Sequence, residues 1–375
     1  MRIAVRAEDR PGERRVAAVP DTVGPLVRAG HDVVVAAGAG LGALLADDAY
    51  RDAGATVSAG DVLGTADVLL HVRPLLPEHA AGLRPGTVTI GFLSPAAEPA
   101  GVRALREAGA TAFAMELVPR ISRAQSMDAL TSQALVAGYR SVLEAATRLP
   151  RFFPLFMTAA GTVPPAKVLV LGAGVAGLQA IATARRLGAV VQAYDVRPSS
   201  ADEVRSMGAT FVDLGLEALE GSGGYAREMG EERARRQREL LAPYVARADV
   251  LVTTAAVPGR PAPLLVTSDM VAAMAPGSVV VDLAAESGGN VEGVVAGEES
   301  RVGGATVVGL RDAASALPVD ASRLYAKNVA NLLALLVDDD GGLRVDLTDE
   351  VLAGACVTHD GQVRHEPTRL QLEGA

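Results

Sequence analysis

Short apolar runs alternate with helical patterns along the first third of the chain. The helical stretches include residues 20–30, where Asp21 is the predicted N-cap and Gly30 the stop, and residues 101–109. The apolar runs, predicted to be buried strands, read MRIAV, HDVVVAAGAG, ADVLLHV and GTVTIGFL. Continuous apolar strands that alternate with helices are typical of a parallel sheet covered on both faces.

Helical spacing dominates the middle of the chain. Residues 129–149 repeat apolar positions at that spacing without a proline, which predicts a long helix crossing between two domains. The next segment, RFFPLFMTAAGTVPP, is rich in proline and is predicted to be an irregular, partly buried linker. Residues 322–337 are predicted to form a helix that packs on the first domain, and the tail after Asp338 is polar with little pattern.

A second set of strand candidates starts at Lys167. They read KVLVL, VVQAYDV, ATFVDL, ADVLVTTA, GSVVVDLA and ATVVGL. The predicted fold class is therefore α/β, with two Rossmann-like, doubly wound parallel-sheet domains linked by long helices. We place the first domain at residues 1–135, completed by residues 315–375, and the second at residues 136–314. A length of 375 residues suits two domains.

Composition and charge exclude several classes of function. The formal net charge of -9 argues against general nucleic-acid binding, which needs a basic surface. The single cysteine, Cys356, allows no disulfide within the chain and fits a reducing compartment. The first residues lack an apolar signal core, and no run reaches the roughly 20 apolar residues of a membrane span. We therefore expect a cytoplasmic protein with no membrane span of its own.

The histidines and the cysteine suggest no reactive centre. The five histidines lack metal-ligand spacing, so no metal site is predicted. His71 lies in a buried strand pattern and is expected to be a satisfied core histidine. Cys356 has no evident base beside it, so it is not predicted to be a nucleophile.

The strongest local signal is a glycine motif between a buried strand and a helix. The motif is Gly172-x-Gly174-x-x-Gly177, with Ala173 and Val175 inside it. The first glycine permits a tight turn, the second lets the backbone approach a pyrophosphate, and the third lets helix and strand pack closely. The helix N-terminus offers free N–H groups to phosphates. The motif predicts a dinucleotide site; the alternative is a glycine-rich turn in an unliganded α/β fold.

An acidic residue at the end of the next strand bears on the kind of dinucleotide. Asp195 stands about 20 residues after the glycines, where a carboxylate binds ribose hydroxyls and repels the extra phosphate of NADP. We therefore predict NAD(H), bound also by Val196 and Arg197, with Arg197 as the residue that could relax the preference over NADP(H). An FAD site is disfavoured because the motif lies mid-chain and no second flavin-type motif follows.

Two later strand ends are candidates to complete the pocket, because doubly wound sheets bind ligands at the carboxyl ends of their strands. The first carries Thr254, Ala255 and Ala256, for which a cofactor-facing role is favoured. The second carries Asp282 and Glu286, for which a cofactor-facing role and an ordinary strand end stay equally open.

Several segments together resemble one protein family. They read PRISRAQSMDALTSQALVAGYRSVLEA, MTAAGTVPPAKVLVLGAGVAGLQAIATARRLGA, TTAAVPGRPAP, VDLAAESGGN and LYAKNVANLLALL. Over residues 1 to about 340 the chain resembles the NAD(H)-binding alpha subunit (soluble domain I) of proton-translocating NAD(P) transhydrogenase, in the superfamily that includes alanine dehydrogenase. The run from Pro119 to Asp128 is the most specific element, since generic Rossmann enzymes lack it.

The resemblance implies that an Arg-Gln-Asp loop holds the nicotinamide ribose and carboxamide. The positions that match this loop are Arg120, Ile121, Ser122, Gln125, Ser126, Met127, Asp128 and Thr131. The catalytic set would be Arg120, Gln125 and Asp128, because a glutamine amide pairs with a carboxamide and an arginine offers a fork of donors. Without the resemblance, the same run is a solvated loop with Asp128 as the cap of a helix.

The resemblance also implies a mobile loop that closes over the nucleotide. The run GSGGYAREMGEERARRQ fits this loop, with Gly224 and Tyr225 near its tip and Gln237 further along. Glycines give such a loop the freedom of a hinge. The alternative is a disordered surface insertion, and both interpretations can hold together.

For activity, the resemblance implies direct hydride transfer between NADH on this chain and NADP+ on a partner subunit. The chain would position the nicotinamide rings and exclude water. A further partner would span the membrane and carry the protons. The resemblance thus implies a homodimer that associates with the membrane peripherally, through NADP(H)-binding and membrane-spanning partner subunits.

The alternative is an alanine-dehydrogenase-like enzyme that acts on a keto acid and ammonia. Such enzymes carry a lysine where HVRPLLP has Arg73, and a histidine where GFLSPA has none; their later acidic residue corresponds to Glu286. Arg15 could bind the substrate carboxylate, but we expect surface or interdomain ion pairing for Arg15 and Arg73. A third class, a non-enzymatic NADH-sensing subunit, is opposed by the intact Arg-Gln-Asp loop.

Overall fold

The computed structural model describes residues 1–216, 230–256, 260–338 and 340–374. The chain divides into two compact units. The first unit comprises Met1–Gln133 and Ser315–Ala375, and the second comprises Ala134–Ala314. The first unit is therefore discontinuous in sequence, with the whole second unit inserted between its two segments.

The strands are short, mostly three to five residues long. In chain order they are β1 (Arg2–Val5), β2 (Asp32–Ala36), β3 (Thr56–Ser58), β4 (Val68–Leu70), β5 (Val88–Gly91), β6 (Thr111–Ala114), β7 (Phe156–Thr158), β8 (Gly161–Val163), β9 (Lys167–Leu171), β10 (Val190–Tyr194), β11 (Thr210–Phe211), β12 (Val250–Thr253), β13 (Val279–Asp282), β14 (Glu299–Val302), β15 (Ala305–Gly309), β16 (Cys356–His359) and β17 (Gln362–Val363).

The helices differ widely in length. In chain order they are α1 (Pro20–Arg28), α2 (Asp47–Asp52), α3 (Pro77–Ala81), α4 (Pro99–Glu107), α5 (Ala129–Arg148), α6 (Val175–Arg186), α7 (Ser200–Ser206), α8 (Glu231–Arg247), α9 (Ser268–Ala272), α10 (Pro318–Ala334), α11 (Glu350–Ala355) and α12 (Glu366–Glu373). Proline stands in the first turn of several of them, where its missing N–H costs no hydrogen bond.

Among the described residues of the first unit, eight strands form one sheet in the order β17-β16-β6-β5-β4-β1-β2-β3. Strands β1 to β6 run parallel, and β16 adds antiparallel to β6 with Cys356 opposite Phe113. The core on one face takes Tyr325, Val329 and Leu332 from α10, all fully buried. The residues after the inserted unit therefore supply both a strand and a core helix to the first unit.

In the described residues of the second unit, seven strands form a sheet in the order β11-β10-β9-β12-β13-β15-β14. All neighbouring strands pair in parallel except β14 and β15. The chain order changes direction between β9 and β12, which opens a crevice beyond the carboxyl ends of the strands. Helix α6 follows β9 directly, and its Ala180, Ile181 and Ala184 share one core with Val168 and Val170. The predicted α/β class with parallel-sheet domains is confirmed.

The structure corrects the predicted start of α1. The N-cap is Val19, not Asp21, which lies in the first turn. The hydroxyl of Thr22 accepts a hydrogen bond from the Val19 N–H at 3.1 Å and donates one to the Val19 carbonyl at 3.0 Å. This local exchange satisfies the helix end, so no Asp cap is needed. Gly30 has φ +88, the left-handed conformation expected where a helix stops.

Two further predictions are wrong because they judged short segments by polarity. The supposed irregular linker contains a hairpin of β7 and β8, and its Met157 is 76% exposed rather than partly buried. The tail after Asp338 is ordered into α11, β16, β17 and α12. A four-residue strand such as β16 is too short to show a period in the sequence. Helix α10 begins at Pro318 rather than at residue 322.

Within the described ranges, no helix combines the length and the apolar character needed to cross a bilayer. The same residues contain no group of three or more His, Cys, Asp or Glu side chains that could hold a metal ion.

Candidate functional site

The glycine motif forms the turn between β9 and α6. Gly172 has φ +97, a left-handed conformation that favours glycine. A Cβ on Gly177 would lie 1.9 Å from the Gly172 carbonyl oxygen, so the helix can pack this closely only with glycine there. A Cβ on Gly174 would meet nothing within 4 Å. Gly174, the exposed N-cap of α6, therefore borders open space at a helix N-terminus, which is where a pyrophosphate fits.

Neighbouring strands hold this turn from both sides. On the β10 side, a carboxylate oxygen of Asp195 accepts the Ala173 N–H at 2.7 Å. On the β12 side, the hydroxyl of Thr254 donates to the Gly172 carbonyl at 3.0 Å. The structure thus gathers three predicted groups of residues at one edge of the sheet: the glycine turn, the end of β10 and the end of β12.

Asp195 is engaged by Arg197 as well as by the turn. The Arg197 Nε lies 2.9 Å from one carboxylate oxygen and Nη2 lies 2.9 Å from the other, and the Arg197 backbone N–H adds a third bond at 2.9 Å. The intervening Val196 is half-buried and packs against the core. A ribose that binds Asp195 must therefore share the carboxylate with Arg197 or displace its guanidinium.

The lid residues are only partly described. Gly224 and Tyr225 lie outside the described residues. Gln237 lies on α8 and is 1% exposed, and its side-chain oxygen accepts no hydrogen bond from the described residues of the chain. Burial raises the pKa of Tyr194, at the end of β10, to about 12. Tyr194 is therefore a neutral phenol at physiological pH.

The end of β13 serves the protein itself. Asp282 is fully buried, and burial raises the pKa of its carboxyl despite several backbone donors. Its oxygens accept from the N–H groups of Ala284 at 2.8 Å, Asn290 at 2.7 Å and Val291 at 3.0 Å. Glu286 accepts from the Asp312 N–H at 3.0 Å. Of the two roles left open for Asp282, the geometry supports the structural one.

The Arg-Gln-Asp loop lies in the first unit, as one turn of 3-10 helix over Ser122–Met127. Its ends are partly buried at Ile121 and buried at Met127, and both pack with the core. The exposed side chains in and before this turn are Arg120, Ser122, Gln125 and Ser126. The loop therefore presents polar side chains outward from an apolar anchor.

Asp128 caps helix α5 in this structure. Its carboxylate accepts the Thr131 N–H at 2.8 Å and the Thr131 hydroxyl at 2.6 Å. This is the capping role that the sequence alone suggests, and it leaves the cofactor role a prediction. Two residues that the sequence did not single out support the loop: Asn328 and Asn331 of α10 both donate to the Ser126 carbonyl, at 2.8 and 2.9 Å. Their only signal was a polar pair inside an apolar helix.

A charged cluster is buried inside the first unit. Arg15 is 6% exposed and donates to both carboxylate oxygens of Glu13, at 2.8 and 2.6 Å, and to the Gln133 side-chain oxygen at 2.9 Å. Burial acts to raise the pKa of Glu13, but the bonds and charge of Arg15 outweigh it and lower that pKa to about 2. Arg73 approaches the same carboxylate at 2.8 Å. The predicted surface or interdomain pairing of Arg15 and Arg73 is therefore wrong, because the pairing is internal to the first unit.

Two further core predictions can be compared with the structure. His71 is fully buried, and its Nδ1 lies 2.7 Å from the Arg73 carbonyl, but its Nε2 makes no hydrogen bond among the described residues. It is thus a core histidine that is only half satisfied, and burial lowers its pKa to about 3. Cys356 is buried, which raises its pKa to about 11 and keeps the thiol unreactive.

The parallel sheet, the glycine turn and the acidic strand end define a two-unit α/β protein whose second unit has the Rossmann architecture. Comparison with known proteins narrows this class. Residues 4–137 match the alanine dehydrogenase/PNT N-terminal domain, and residues 141–366 match the C-terminal domain of the same family. The chain belongs to the alanine dehydrogenase/PNT family.

The most extensive similarities are to transhydrogenases. In Rhodospirillum rubrum, the first of the polypeptides that make up NAD(P) transhydrogenase subunit alpha is 48% identical, over 97% of this chain and 98% of that protein. The crystal structure of transhydrogenase from Sinorhizobium meliloti matches with a TM-score of 0.86 at 45% identity, over 98% of this chain and 100% of that one. The alanine dehydrogenase of Mycobacterium tuberculosis is 35% identical over 78% of this chain and 75% of that protein. The predicted family resemblance is confirmed.

Proposed function

We propose that this chain is the NAD(H)-binding subunit of a proton-translocating NAD(P) transhydrogenase. In this role it presents NADH for direct hydride transfer to NADP+ held on a partner subunit. The observation that carries the proposal is the turn at Gly172–Gly177, open at Gly174 and braced by Asp195. The long match to alpha subunits named NAD(P) transhydrogenase supports it.

Each portion of the cofactor has a candidate partner. The start of α6 offers backbone N–H groups to the pyrophosphate, and Asp195 accepts from the adenosine ribose hydroxyls. From the first unit, Gln125 pairs with the carboxamide, and Arg120 and Asp128 orient the nicotinamide ribose. NADH supplies the hydride, so these side chains need only position the ring and exclude water.

The family also contains alanine dehydrogenases, but the first unit supports that function less well. An amino acid dehydrogenase needs a cation for the substrate carboxylate. Here the guanidinium of Arg15 already bonds Glu13 through two nitrogens and Gln133 through the third. Glu13 thus occupies the position that a substrate carboxylate would need. We therefore favour the transhydrogenase function over amino acid oxidation.

Two assays test the proposed function. The purified chain, mixed with NADH, an NADP(H)-binding partner subunit and an oxidised NADP analogue, should reduce the analogue. The chain alone should give no NADH oxidation with pyruvate and ammonia. Turnover of pyruvate, or no NADH binding at all, would refute the proposal. Salt-resistant recovery of the chain with membranes only when the partner subunits are present would support peripheral association through those partners.

The Gln125→Asn variant tests the nicotinamide side of the site. The shorter side chain withdraws its amide from the carboxamide, and a misplacement of this size slows a positioned reaction about a hundredfold. We expect hydride transfer to fall by that factor, while the Kd for NADH, measured by fluorescence titration, changes much less. Gln371→Asn, an exposed glutamine on α12, is the matched control and should leave both values unchanged. An unchanged rate in Gln125→Asn would remove this residue from the site.

The hairpin of β7 and β8 is the surface that we propose for homodimer formation. Phe156 and Met157 on it are 43% and 76% exposed, and Phe152 stacks edge-on against Phe156 at 4.7 Å. An isolated two-stranded hairpin is marginal in water, so an apolar hairpin of this kind gains most from packing on a second copy. Its apolar side chains and short strands fit an exchanged arm better than a polar partner.

The variant Met157→Asp tests this surface. A carboxylate buried in an apolar interface is costly, so the dimer dissociation constant should rise at least about tenfold. Sedimentation velocity over a range of protein concentrations measures it. Leu44→Asp, which changes a 77% exposed leucine in the first unit, is the control and should leave the constant unchanged. A Met157→Asp protein that dimerises as tightly as wild type would exclude the hairpin.

A further inference from the structure

Asn290 stands out as a fully buried amide just beyond the end of β13. Its side-chain oxygen accepts the Ala255 N–H at 3.0 Å, and its side-chain nitrogen donates to the carbonyls of Ala255 and Pro263, both at 2.8 Å. Its backbone carbonyl accepts from Leu265 at 2.8 Å and Val266 at 3.0 Å. One residue therefore fixes the segment after β12 at several points.

Asn290 itself is held rigidly. Its backbone N–H donates to the buried carboxylate of Asp282 at 2.7 Å. The preceding Gly289 has φ +81, and a Cβ there would lie 2.2 Å from a methyl carbon of Val294 and 3.1 Å from an Asp282 oxygen. The turn thus tolerates only glycine at that position, and it aims the Asn290 amide toward β12.

The contacts of Asn290 continue to the glycine turn. Ala255, which it bonds through both its N–H and its carbonyl, directly follows Thr254. The Thr254 hydroxyl donates to the Gly172 carbonyl and lies 2.7 Å from where a Cβ on Gly172 would be. Holding Ala255 in place therefore also fixes how Thr254 packs on the turn. A shift of the β12 end would move both.

We propose that Asn290 is a positioning residue that aligns the Thr254–Ala256 strand end with the nicotinamide half of the bound dinucleotide. This inference rests on the proposed function. In a doubly wound sheet the two halves of the dinucleotide lie on the two halves of the sheet. Asp195 follows β10, on the adenosine half, whereas Thr254 and Asn290 follow β12 and β13, on the other half. Asn290 acts through the strand end and does not itself need to touch the cofactor.

The test compares NADH with 5′-AMP, which carries only the adenosine half. In Asn290→Ala the Kd for NADH should rise about tenfold, the effect of losing buried hydrogen bonds that place a contact. The Kd for 5′-AMP, measured by calorimetry, should change less than twofold. Asn290→Asp fills the same space and keeps the acceptor for Ala255, but sets oxygens against the two carbonyls; it should show the same selective loss. This second variant separates lost donors from a cavity.

Ser278→Ala is the matched control, because Ser278 is buried at the opposite end of β13 and donates to the Ala248 carbonyl. It should lower stability without changing the ratio of the two affinities. Equal losses for NADH and 5′-AMP in both Asn290 variants, or no loss in either, would overturn the positioning role. Failure of the wild-type chain to bind NADH would instead overturn the proposed function, so the two failures are distinguishable.

Discussion

Replacing Gly174 by alanine is expected to weaken NADH binding about tenfold to a hundredfold while leaving the stability of the protein unchanged. The new methyl group meets no protein atom within 4 Å, and the backbone at Gly174 (φ -77) is one that alanine adopts readily. The methyl would instead occupy the space where the pyrophosphate must approach the helix end. Fluorescence titration with NADH and thermal unfolding measure the two quantities.

Gly177→Ala provides the contrast. Its methyl would clash with the Gly172 carbonyl at 1.9 Å, so we expect a large loss of stability rather than a selective loss of binding. If Gly174→Ala bound NADH as tightly as wild type, the phosphates would have to lie elsewhere, and the site at this turn would be wrong.

Replacing Asp195 by alanine is expected to weaken NADH binding about tenfold to a hundredfold, the range for losing a charged hydrogen-bond partner. The same change should strengthen NADPH binding, because it releases the guanidinium of Arg197 from the carboxylate. An arginine freed beside the adenosine ribose can pair with the 2′-phosphate that distinguishes NADPH. The ratio of the two dissociation constants is the quantity to measure.

Asp195→Asn is the companion variant, since its amide oxygen still accepts the Ala173 N–H and keeps the turn braced. It should shift the preference toward NADPH in the same direction. A double variant that also carries Arg197→Ala should lose the gain for NADPH. Unchanged affinities in Asp195→Ala would contradict the ribose assignment.

How far the sequence could predict this structure depends on how local each feature is. The glycine turn needs residues within one strand–turn–helix unit, so spacing alone predicts its position and conformation. The apolar strands of both sheets follow from continuous runs of valine and leucine. The bond between Asn290 and Ala255 joins residues 35 positions apart, and no spacing rule relates them.

The remaining errors have a similar cause. Strand β16 pairs with β6 across the entire inserted unit, and four residues carry too little pattern to predict that partner. The pairing of Arg15 with Glu13 is short in sequence, but its burial comes from tertiary packing, so the charges looked like surface residues. Asp128 shows the opposite limit: its cap on α5 was predictable from position, whereas its cofactor role needs a ligand to be tested.

The insertion of one unit within the other has a consequence for synthesis on the ribosome. Units with contiguous sequence can fold as soon as they emerge, whereas the first unit must wait for the strand at Cys356–His359. Until then the growing chain displays the unpaired edge of β6 and lacks the apolar residues of α10. The second unit therefore reaches its native state first, and the nascent amino-terminal half is the region most in need of a chaperone.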